Sequence, residues 1–203
     1  MLDQPSCRLY LISPPEFEVS EIAPALGAAL KAGDIACFLL DLAQAGDDDL
    51  AAAARALLPV CHDHEVPLLI RNRPEIAVIS GADGCEAEIA AVAEVRARLG
   101  GGGIVGSGAA PSRHAALEAA ENCADYVSFD MTQADIPDIA AWWSDLMEVP
   151  CVALVSPTLE ACAEAARAGL DYVAVSTLVW RHPDGPAAGV VAANEAIETG
   201  KAT

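Results

Sequence analysis

Ala168-Gly169-Leu170-Asp171-Tyr172-Val173-Ala174-Val175 is the stretch that decides the fold, because it joins the end of a helical segment directly to a buried strand. A glycine suits a left-handed helix cap, and the aspartate after it leads into the apolar run. The same turn recurs as Lys31-Ala32-Gly33-Asp34 and as Ser80-Gly81-Ala82-Asp83. We predict a left-handed glycine cap at each of these helix ends. One turn type repeated along the chain predicts repeated β/α units.

The apolar runs are short, partly β-branched and rarely interrupted by polar residues, which is typical of strands buried on both faces of a parallel sheet. These predicted strands cover residues 9–12, 35–40, 67–70, 82–85, 104–106, 126–129, 151–155 and 172–175. Segments with helical spacing follow them, and three aspartates at positions 47–49 suit a helix N-terminus. These predicted helices cover residues 20–31, 47–64, 74–80, 88–99, 112–122, 136–147, 158–168 and 186–198.

Alternation of strands and helices without a break in composition predicts one α/β domain over residues 1–203 with a parallel sheet. A chain of 203 residues is close to the lower limit for a single (β/α)₈ TIM barrel. An open doubly wound sheet is the competing architecture. Eight similar units favour closure of the sheet into a barrel, with functional residues at the carboxyl ends of the strands.

The charge of the chain excludes several classes of partner. A net charge of −19 and a pI near 4.3 repel nucleic acid and anionic membrane surfaces. No apolar run reaches the roughly 20 residues that a membrane span needs, and the opening Met1-Leu2-Asp3-Gln4-Pro5 lacks the pattern of a signal peptide. Seven cysteines without a C-x-x-C pair favour buried, reduced thiols. We therefore expect a cytoplasmic protein.

The ordered apolar runs resemble those of the thiamine phosphate synthase and thiazole tautomerase family. The resemblance extends along nearly the whole chain with matching order and spacing. The matching pieces are Leu9-Tyr10-Leu11-Ile12-Ser13, Val66-Pro67-Leu68-Leu69-Ile70, Gly81-Ala82-Asp83-Gly84, Arg98-Leu99-Gly100, Ile104-Val105-Gly106, Ala124-Asp125-Tyr126-Val127, Val149-Pro150-Cys151-Val152-Ala153 and the stretch from Ala168 to Ser176.

This resemblance implies a cytosolic triose-isomerase-type barrel that joins a pyrimidine diphosphate to a thiazole phosphate with loss of magnesium pyrophosphate. It therefore implies a small phosphorylated ligand, and Mg²⁺ as the cofactor if the family activity is retained. Such chemistry needs cations and metal ligands, because the charge of the leaving pyrophosphate must be stabilised.

Several family residues are replaced. Where the family has glutamine, arginine and lysine after the second strand, this chain reads Cys37-Phe38-Leu39-Leu40-Asp41 and supplies no base. The family's Asn-Asp-Arg after the third strand becomes Arg71-Asn72-Arg73, so Asn72 replaces an aspartate that helps to hold magnesium. Glu86-Ala87-Glu88 follows the fourth strand, where a histidine and a glycine-rich stretch are expected. The resemblance thus implies a degenerate active site.

The later loops diverge as well. The family's serine after the fifth strand falls at Gly108, beside Ser107, and its threonine-rich loop ending in lysine is replaced by residues 128–133. Paired glycines that would cradle phosphate become Val155-Ser156, whereas the serine of the eighth strand is kept as Ser176.

The residues themselves also argue against an intact phosphate site. Barrels often bind phosphate through backbone N–H groups after strands seven and eight, where glycine permits close approach. Val155 and Ser156 obstruct that approach, and Pro157 removes a donor. Ser176 and Thr177 could still contribute.

The predicted strand ends carry carboxylates that could share one binding site. Asp41, Glu86 and Asp130 could converge with Arg71 as their counter-ion, and three carboxylates can hold a hard cation or act as acid and base. The alternative is that they are solvated loop residues of a very acidic protein. A Schiff-base lysine is excluded, because Lys31 and Lys201 lie away from the barrel mouth.

We predict one residue set for the site. The predicted catalytic residues are Arg73, Asp41 and Asp130, the predicted metal ligand is Glu86, and the predicted substrate- and phosphate-binding residues are Arg71, Ser107, Ser156, Ser176 and Thr177. Trp142-Trp143 on the sixth helix places one ring on the barrel and offers the other to a subunit interface, which predicts a homodimer.

Three functions stay open at this point. The first is a thiamine phosphate synthase family protein with weak or absent synthase activity. The second is a barrel that binds a small molecule or a protein without catalysis. The third is a different enzyme that uses the carboxylate-rich mouth. The fold cannot choose among them, because one barrel hosts many chemistries.

Overall fold

Eight parallel strands close into a barrel in the computed structural model, which describes residues 7–202. The opening segment that bears on a signal peptide lies outside the described residues. Each strand pairs with its neighbours in chain order, and β8 pairs with β1. The strands are β1 (Arg8–Ile12), β2 (Ile35–Leu40), β3 (Leu68–Arg71), β4 (Gly84–Ala87), β5 (Ile104–Ala109), β6 (Tyr126–Asp130), β7 (Cys151–Leu154) and β8 (Tyr172–Val175). The predicted (β/α)₈ TIM barrel is confirmed, and the open sheet is wrong.

Helices follow the strands. They are α1 (Val19–Ala32), α2 (Asp47–His62), α3 (Pro74–Ser80), α4 (Val92–Leu99), α5 (Arg113–Glu121), α6 (Ile136–Leu146), α7 (Leu159–Arg167), α8 (Thr177–Trp180) and α9 (Pro186–Lys201). The aspartates at 47–49 begin α2 as predicted. The short α8 is not among the predicted helices. The fourth strand begins two residues later than predicted, at Gly84, because the turn before it continues through Ala82 and Asp83.

The repeated turns explain how the strands are aligned. Gly81 and Gly169 adopt the left-handed conformation predicted for them, with φ of 77° and 80°. Gly33 does not, since its φ of −171° is extended. A Cβ there would lie 2.7 Å from Nδ2 of Asn194 and 3.0 Å from Cγ1 of Val190, so Gly33 lies directly against side chains of α9. The prediction of a cap at Gly33 is therefore wrong.

The aspartates of these turns tie neighbouring strands together. The carboxylate of Asp83 accepts the N–H of Leu68 at 2.8 Å, and that of Asp171 accepts the N–H of Cys151 at 2.8 Å. Each residue lies before an even-numbered strand and binds the start of the preceding strand. The glycine–aspartate turn thus fixes strand register at the N-terminal face, the end that stabilises the fold rather than carrying the chemistry.

The apolar core lies between the barrel and its helices. Trp143 is fully buried there and donates from Nε1 to the carbonyl of Val149 at 2.7 Å. Its neighbour Trp142 is partly buried, and the Arg113 guanidinium lies 4.4 Å from its ring centroid. The seven cysteines are free, and all except Cys123 are buried. Within residues 7–202, no helix is long and apolar enough to cross a membrane.

Candidate functional site

A charged cluster at the carboxyl ends of β2, β3 and β4 is centred on Arg71. Nε of Arg71 lies 3.0 Å from Oδ2 of Asp41, and its Nη2 lies 3.1 Å from Oε1 of Glu86. Arg71 is the last residue of β3, Asp41 directly follows β2, and Glu86 pairs with Arg71 across the ladder. Strand ends therefore place one guanidinium between two carboxylates. The predicted convergence of Asp41 and Glu86 on Arg71 is confirmed.

Glu86 reaches into the barrel interior, where hydroxyl groups surround its second oxygen. Oε2 of Glu86 accepts hydrogen bonds from Tyr126 at 3.2 Å, from Tyr10 at 3.3 Å and from Ser128 at 3.3 Å. The hydroxyls of Tyr10 and Tyr126 also lie 2.7 Å apart. Glu86 is only 1% exposed, so this network supports a carboxylate that water hardly reaches. Buried charges need such partners.

Gly106 makes the reach of Tyr126 possible. Register pairs Glu86 with Gly106 and Gly106 with Tyr126, so the three residues lie side by side on β4, β5 and β6. A Cβ on Gly106 would lie 2.0 Å from Cζ of Tyr126. The tyrosine ring therefore crosses the space that a side chain on β5 would fill, and its hydroxyl meets the carboxylate beyond.

Burial and the neighbouring charges have opposite effects on the pKa values of Glu86 and Arg71. Burial raises the pKa of Glu86, although Arg71 and the three hydroxyls act to lower it. Burial lowers the pKa of Arg71, but Glu86 and Asp41 more than offset this effect and keep the guanidinium charged. Nε of Arg71 and Oε1 of Glu86 are buried but make no well-aligned hydrogen bond, so their contacts are ion pairs only. Two carboxylates thus share one positive charge.

Asp130 does not join this cluster. Its carboxylate accepts the hydroxyl of Thr132 at 2.7 Å, the N–H of Thr132 at 3.1 Å and Nε2 of Gln133 at 3.0 Å. These hydrogen bonds, that of the Thr132 hydroxyl foremost, lower the pKa of Asp130. The prediction that Asp130 shares Arg71 as counter-ion is wrong, because the short loop after β6 satisfies this carboxylate locally.

In the loop after β3, Asn72 and Arg73 both contact neighbouring elements of the barrel. Asn72 has a positive φ of 54°, and its Oδ1 accepts the N–H of Glu88 at 3.1 Å. Arg73 follows at the N-cap of α3 and forms an ion pair with Asp47 at the start of α2. The Asn72 side chain therefore links the loop after β3 to the loop after β4.

These residues do not fit a bound magnesium ion. Residues 7–202 contain no group of three or more His, Cys, Asp or Glu side chains that could hold a metal. Glu86, the predicted metal ligand, already faces Arg71 and three hydroxyls. The amide of Asn72 is engaged by the backbone of Glu88. At a phosphate site magnesium is usually held by one or two carboxylates together with the phosphates of the substrate, and here the carboxylates of Asp41 and Glu86 already face Arg71.

The four predicted phosphate-binding hydroxyls differ in exposure and in hydrogen bonding. Ser107 is fully buried and donates to the carbonyl of Gly108 at 3.0 Å, so it is not available at the mouth. Ser156 is exposed in the loop after β7. Ser176 donates to the carbonyl of Ser13 at 2.9 Å and occupies the N-cap position before the short α8. Thr177 is exposed in the first turn of that helix.

Ser176 and Thr177 line a cavity of about 540 Å³ between the loop after β1, α1 and α8, and Arg181 also lines it. Phe17 and Trp180 supply its apolar walls, and Nε1 of Trp180 donates to the carbonyl of Ile12 at 2.7 Å. That hydrogen bond anchors the indole to the end of β1.

Sequence reasoning missed the interior hydroxyls of Tyr10, Tyr126 and Ser128. Tyr10 and Ser128 lie between apolar residues of their strands, and Tyr126 begins its strand directly after Asp125. The alternation of side chains along a strand could have indicated which of these hydroxyls face the same side. Ser128 is two residues beyond Tyr126, so both face the same side of β6. Glu86, an acid within β4, needs partners on such a face.

The closed parallel barrel and its polar strand ends define a triose-isomerase-type (β/α)₈ protein. Residues 9–179 match the family model described as "Thiamine monophosphate synthase". The chain belongs to this family.

Curated relatives agree with the family match. The protein named thiamine-phosphate synthase from Rhodospirillum centenum is 41% identical over 203 residues, which cover 94% of this chain and 98% of that protein. The protein of the same name from Hyphomonas neptunium is 36% identical, with 97% of this chain and 96% of that protein covered. The solved thiamine phosphate pyrophosphorylase from Pyrococcus furiosus is 17% identical with a TM-score of 0.84 over 98% of each chain, and this likeness shows the fold alone.

Proposed function

We propose that this protein binds a thiamine-type ligand at the barrel mouth and that its thiamine-phosphate synthase turnover is weak or absent. The single observation that carries this proposal is the arrangement around Arg71, whose guanidinium is already shared by Asp41 and Glu86. Relatives that match almost the full chain are named thiamine-phosphate synthase. They support the ligand class, whereas the altered mouth supports the loss of turnover.

The reaction implied by the family makes a clear electrostatic demand. Pyrophosphate leaves as a multiply charged anion, and the enzyme must stabilise the charge that develops on it. In the mouth, Arg71 faces two carboxylates and Arg73 faces Asp47, so neither guanidinium is a free positive charge. Magnesium would supply that charge, but the side chains do not fit the ion. We therefore expect the chemical step to be slow.

The backbone after β7 adds a second obstacle. Val155 and Ser156 carry side chains where close approach of a phosphate wants glycine, and Pro157 has no N–H to donate. The chain's own residues can still bind and orient a ring, because the strand ends present carboxylates and hydroxyls around the mouth.

A turnover assay tests this proposal. The purified protein receives the pyrimidine diphosphate, the thiazole phosphate and Mg²⁺, and the formation of thiamine phosphate is followed. We expect a rate at least about 1,000-fold below the roughly 1 per second of an ordinary enzyme. A rate near 1 per second would overturn the proposal. The variant Arg73→Ala provides the control, because a residual activity that belongs to the family site should fall with this matching residue.

A cytoplasmic location and a homodimer belong to the same proposal. The net charge of −19 supports a location away from nucleic acid and anionic membranes. The partly buried Trp142, covered by Arg113, supports a role for α6 in self-association. Light scattering on the purified chain tests the dimer directly, and a mass near 20.9 kDa would contradict it.

A further inference from the structure

A second place for a ligand is the cavity of about 540 Å³ between the loop after β1 (residues 13–18), α1 and α8. Its volume lies in the range of roughly 300–1,000 Å³ that is usual for small-molecule sites. Asp41, Arg71 and Glu86 do not line it, so it is separate from the charged cluster at the mouth.

The walls of this cavity are aromatic and apolar. Phe17 of the loop and Trp180 of α8 line it, together with Ile22 and Ala25 of α1. The indole of Trp180 is held in position, since its Nε1 donates to the carbonyl of Ile12 at 2.7 Å. Aromatic rings pack favourably on one another in offset or edge-to-face contact. The walls therefore suit a flat aromatic ring.

The loop on one side of the cavity is anchored at its start. The hydroxyl of Ser176 donates to the carbonyl of Ser13 at 2.9 Å, and Oγ of Ser13 accepts the N–H of Asp41 at 3.0 Å. Pro14 and Pro15 follow, and their rings restrict the backbone φ. These constraints shape the cavity without a ligand, which lowers the entropic cost of binding.

Charged side chains of both signs surround the apolar walls. Arg181, directly after α8, lines the cavity, as do Glu16 of the loop and Glu21 of α1. All three are exposed, and within residues 7–202 their charged groups form no ion pair or hydrogen bond. Arg73 and Arg98, by contrast, pair with neighbouring carboxylates. The charges around the cavity are thus free to contact a ligand.

Each simpler class of ligand would leave part of this set unmatched. An anionic ring would contact Arg181 but would also meet two carboxylates, and a cationic ring would meet the guanidinium. A neutral ring would leave all three charges without a partner. A ring that carries both a positive and a negative group complements the whole set, and such complementarity gives specificity.

We propose that this cavity binds a zwitterionic aromatic α-amino acid. The ring packs against Phe17 and Trp180, the carboxylate contacts Arg181, and the ammonium group contacts Glu16 and Glu21. A guanidinium suits a carboxylate because it can donate two parallel hydrogen bonds to it. The site is additional to the function proposed for the mouth and does not depend on it.

Calorimetric titration with three matched probes tests the charge requirement. L-Phenylalanine carries the ring and both charges, phenethylamine lacks the carboxylate, and phenylpropionate lacks the ammonium group. We expect L-phenylalanine to bind at least about tenfold more tightly than either of the others, equal to about 1.4 kcal/mol. Equal affinity for L-phenylalanine and a probe with one charge would overturn the proposal, as would no saturable binding of L-phenylalanine up to about 10 mM.

Two variants assign the charges of the ligand to their partners. Arg181→Gln should weaken the binding of L-phenylalanine about tenfold without weakening that of phenethylamine. The double variant Glu16→Gln, Glu21→Gln should weaken L-phenylalanine about tenfold without weakening phenylpropionate. Unchanged affinity for L-phenylalanine in these variants would contradict the assignment and overturn the proposal.

Matched controls come from α7, whose exposed charged residues do not line the cavity. Arg167→Gln removes one positive charge, and the double variant Glu160→Gln, Glu164→Gln removes two negative charges. Both should bind L-phenylalanine as the wild type does. Losses equal to those of the cavity variants would mean that the overall charge of the protein governs binding, and the proposal would be wrong.

Discussion

Removal of Arg71 should lower the stability of the fold, because the buried carboxylate of Glu86 loses its counter-ion. The substitution Arg71→Met keeps much of the side-chain volume and deletes the charge that faces Glu86 at 3.1 Å. Glu86 then keeps its three hydroxyl donors at Oε2 but has no cation beside Oε1. Breaking a buried ion pair by removing one partner costs about 3–5 kcal/mol.

The expected loss is large for a chain of this size. For domains of about 150–250 residues, each kcal/mol shifts the unfolding midpoint by roughly 2–4 °C, so Arg71→Met should lower the midpoint by about 10 °C near pH 8. The double variant Arg71→Met, Glu86→Gln removes both charges and should recover about 2 kcal/mol of that loss. The matched control is Arg73→Met, whose exposed pair with Asp47 should contribute about 1 kcal/mol or less.

The pH dependence gives an independent check on the same variant. Burial raises the pKa of Glu86, and Arg71 opposes this rise. Without Arg71 the folded-state pKa of Glu86 rises further above its unfolded value, so the folded protein binds a proton that the unfolded chain does not. In this variant, the contribution of Glu86 to the free energy of unfolding is fully present below its unfolded-state pKa. The contribution is lost as pH rises through its folded-state pKa.

Thermal unfolding of the wild type and the three variants, followed by circular dichroism between pH 5 and pH 8, measures both effects. The deficit of Arg71→Met should be smaller at pH 5 than at pH 8, and the double variant should lose this difference. A deficit below about 1 kcal/mol at pH 8, within the range of a surface pair, would refute the reasoning. So would a deficit that does not change with pH.

The remaining predictions concern three other places in the molecule. Gly106→Ala should destabilise the fold by about 1–3 kcal/mol, because its Cβ would lie 2.0 Å from Cζ of Tyr126, and denaturant unfolding would show the loss. Asp130→Asn should remove a pH-dependent contribution that the wild type loses as pH falls through the lowered folded-state pKa; identical acid-unfolding curves would contradict this. Cys123 alone should react with a thiol reagent in the native state, since the other six cysteines are buried, and rapid labelling of more than one thiol per chain would show otherwise.

The fold could be predicted because its signals are local. Each strand is a short apolar run that follows a turn. These features can be recognised without knowing which strand it pairs with. Gly33 shows the limit of this reasoning. Its sequence context matches that of Gly81 and Gly169, but its role depends on Asn194 in α9, which is distant in the chain. No local pattern distinguishes a helix cap from a close contact between helices.

The positions of the site residues could be predicted only for residues at the carboxyl ends of strands. Asp41, Arg71 and Glu86 were placed correctly, because parallel strands bring their carboxyl ends to one face. Asp130 also ends a strand, but its own loop supplies donors that satisfy its carboxylate. Local hydrogen bonds of this kind compete with long-range contacts, and the sequence does not show which of them forms.

The side-chain contacts inside the barrel could not be predicted from the sequence. Tyr10 and Tyr126 come together from β1 and β6, more than a hundred residues apart in the sequence, and meet on Glu86 from a third strand. Closure of the barrel creates this contact. Glu86 follows the predicted fourth strand but lies inside the observed one, so the sequence did not mark it as a buried acid that needs partners.

The central claim is that this mouth, with its guanidinium shared by two carboxylates, no longer binds magnesium pyrophosphate. Isothermal titration of the purified protein with pyrophosphate in excess Mg²⁺ tests it most directly. We predict no saturable heat up to about 1 mM, which corresponds to a binding free energy weaker than about −4.1 kcal/mol. Saturable binding near 1 μM, about −8.2 kcal/mol, that is lost in Arg73→Ala would contradict the account.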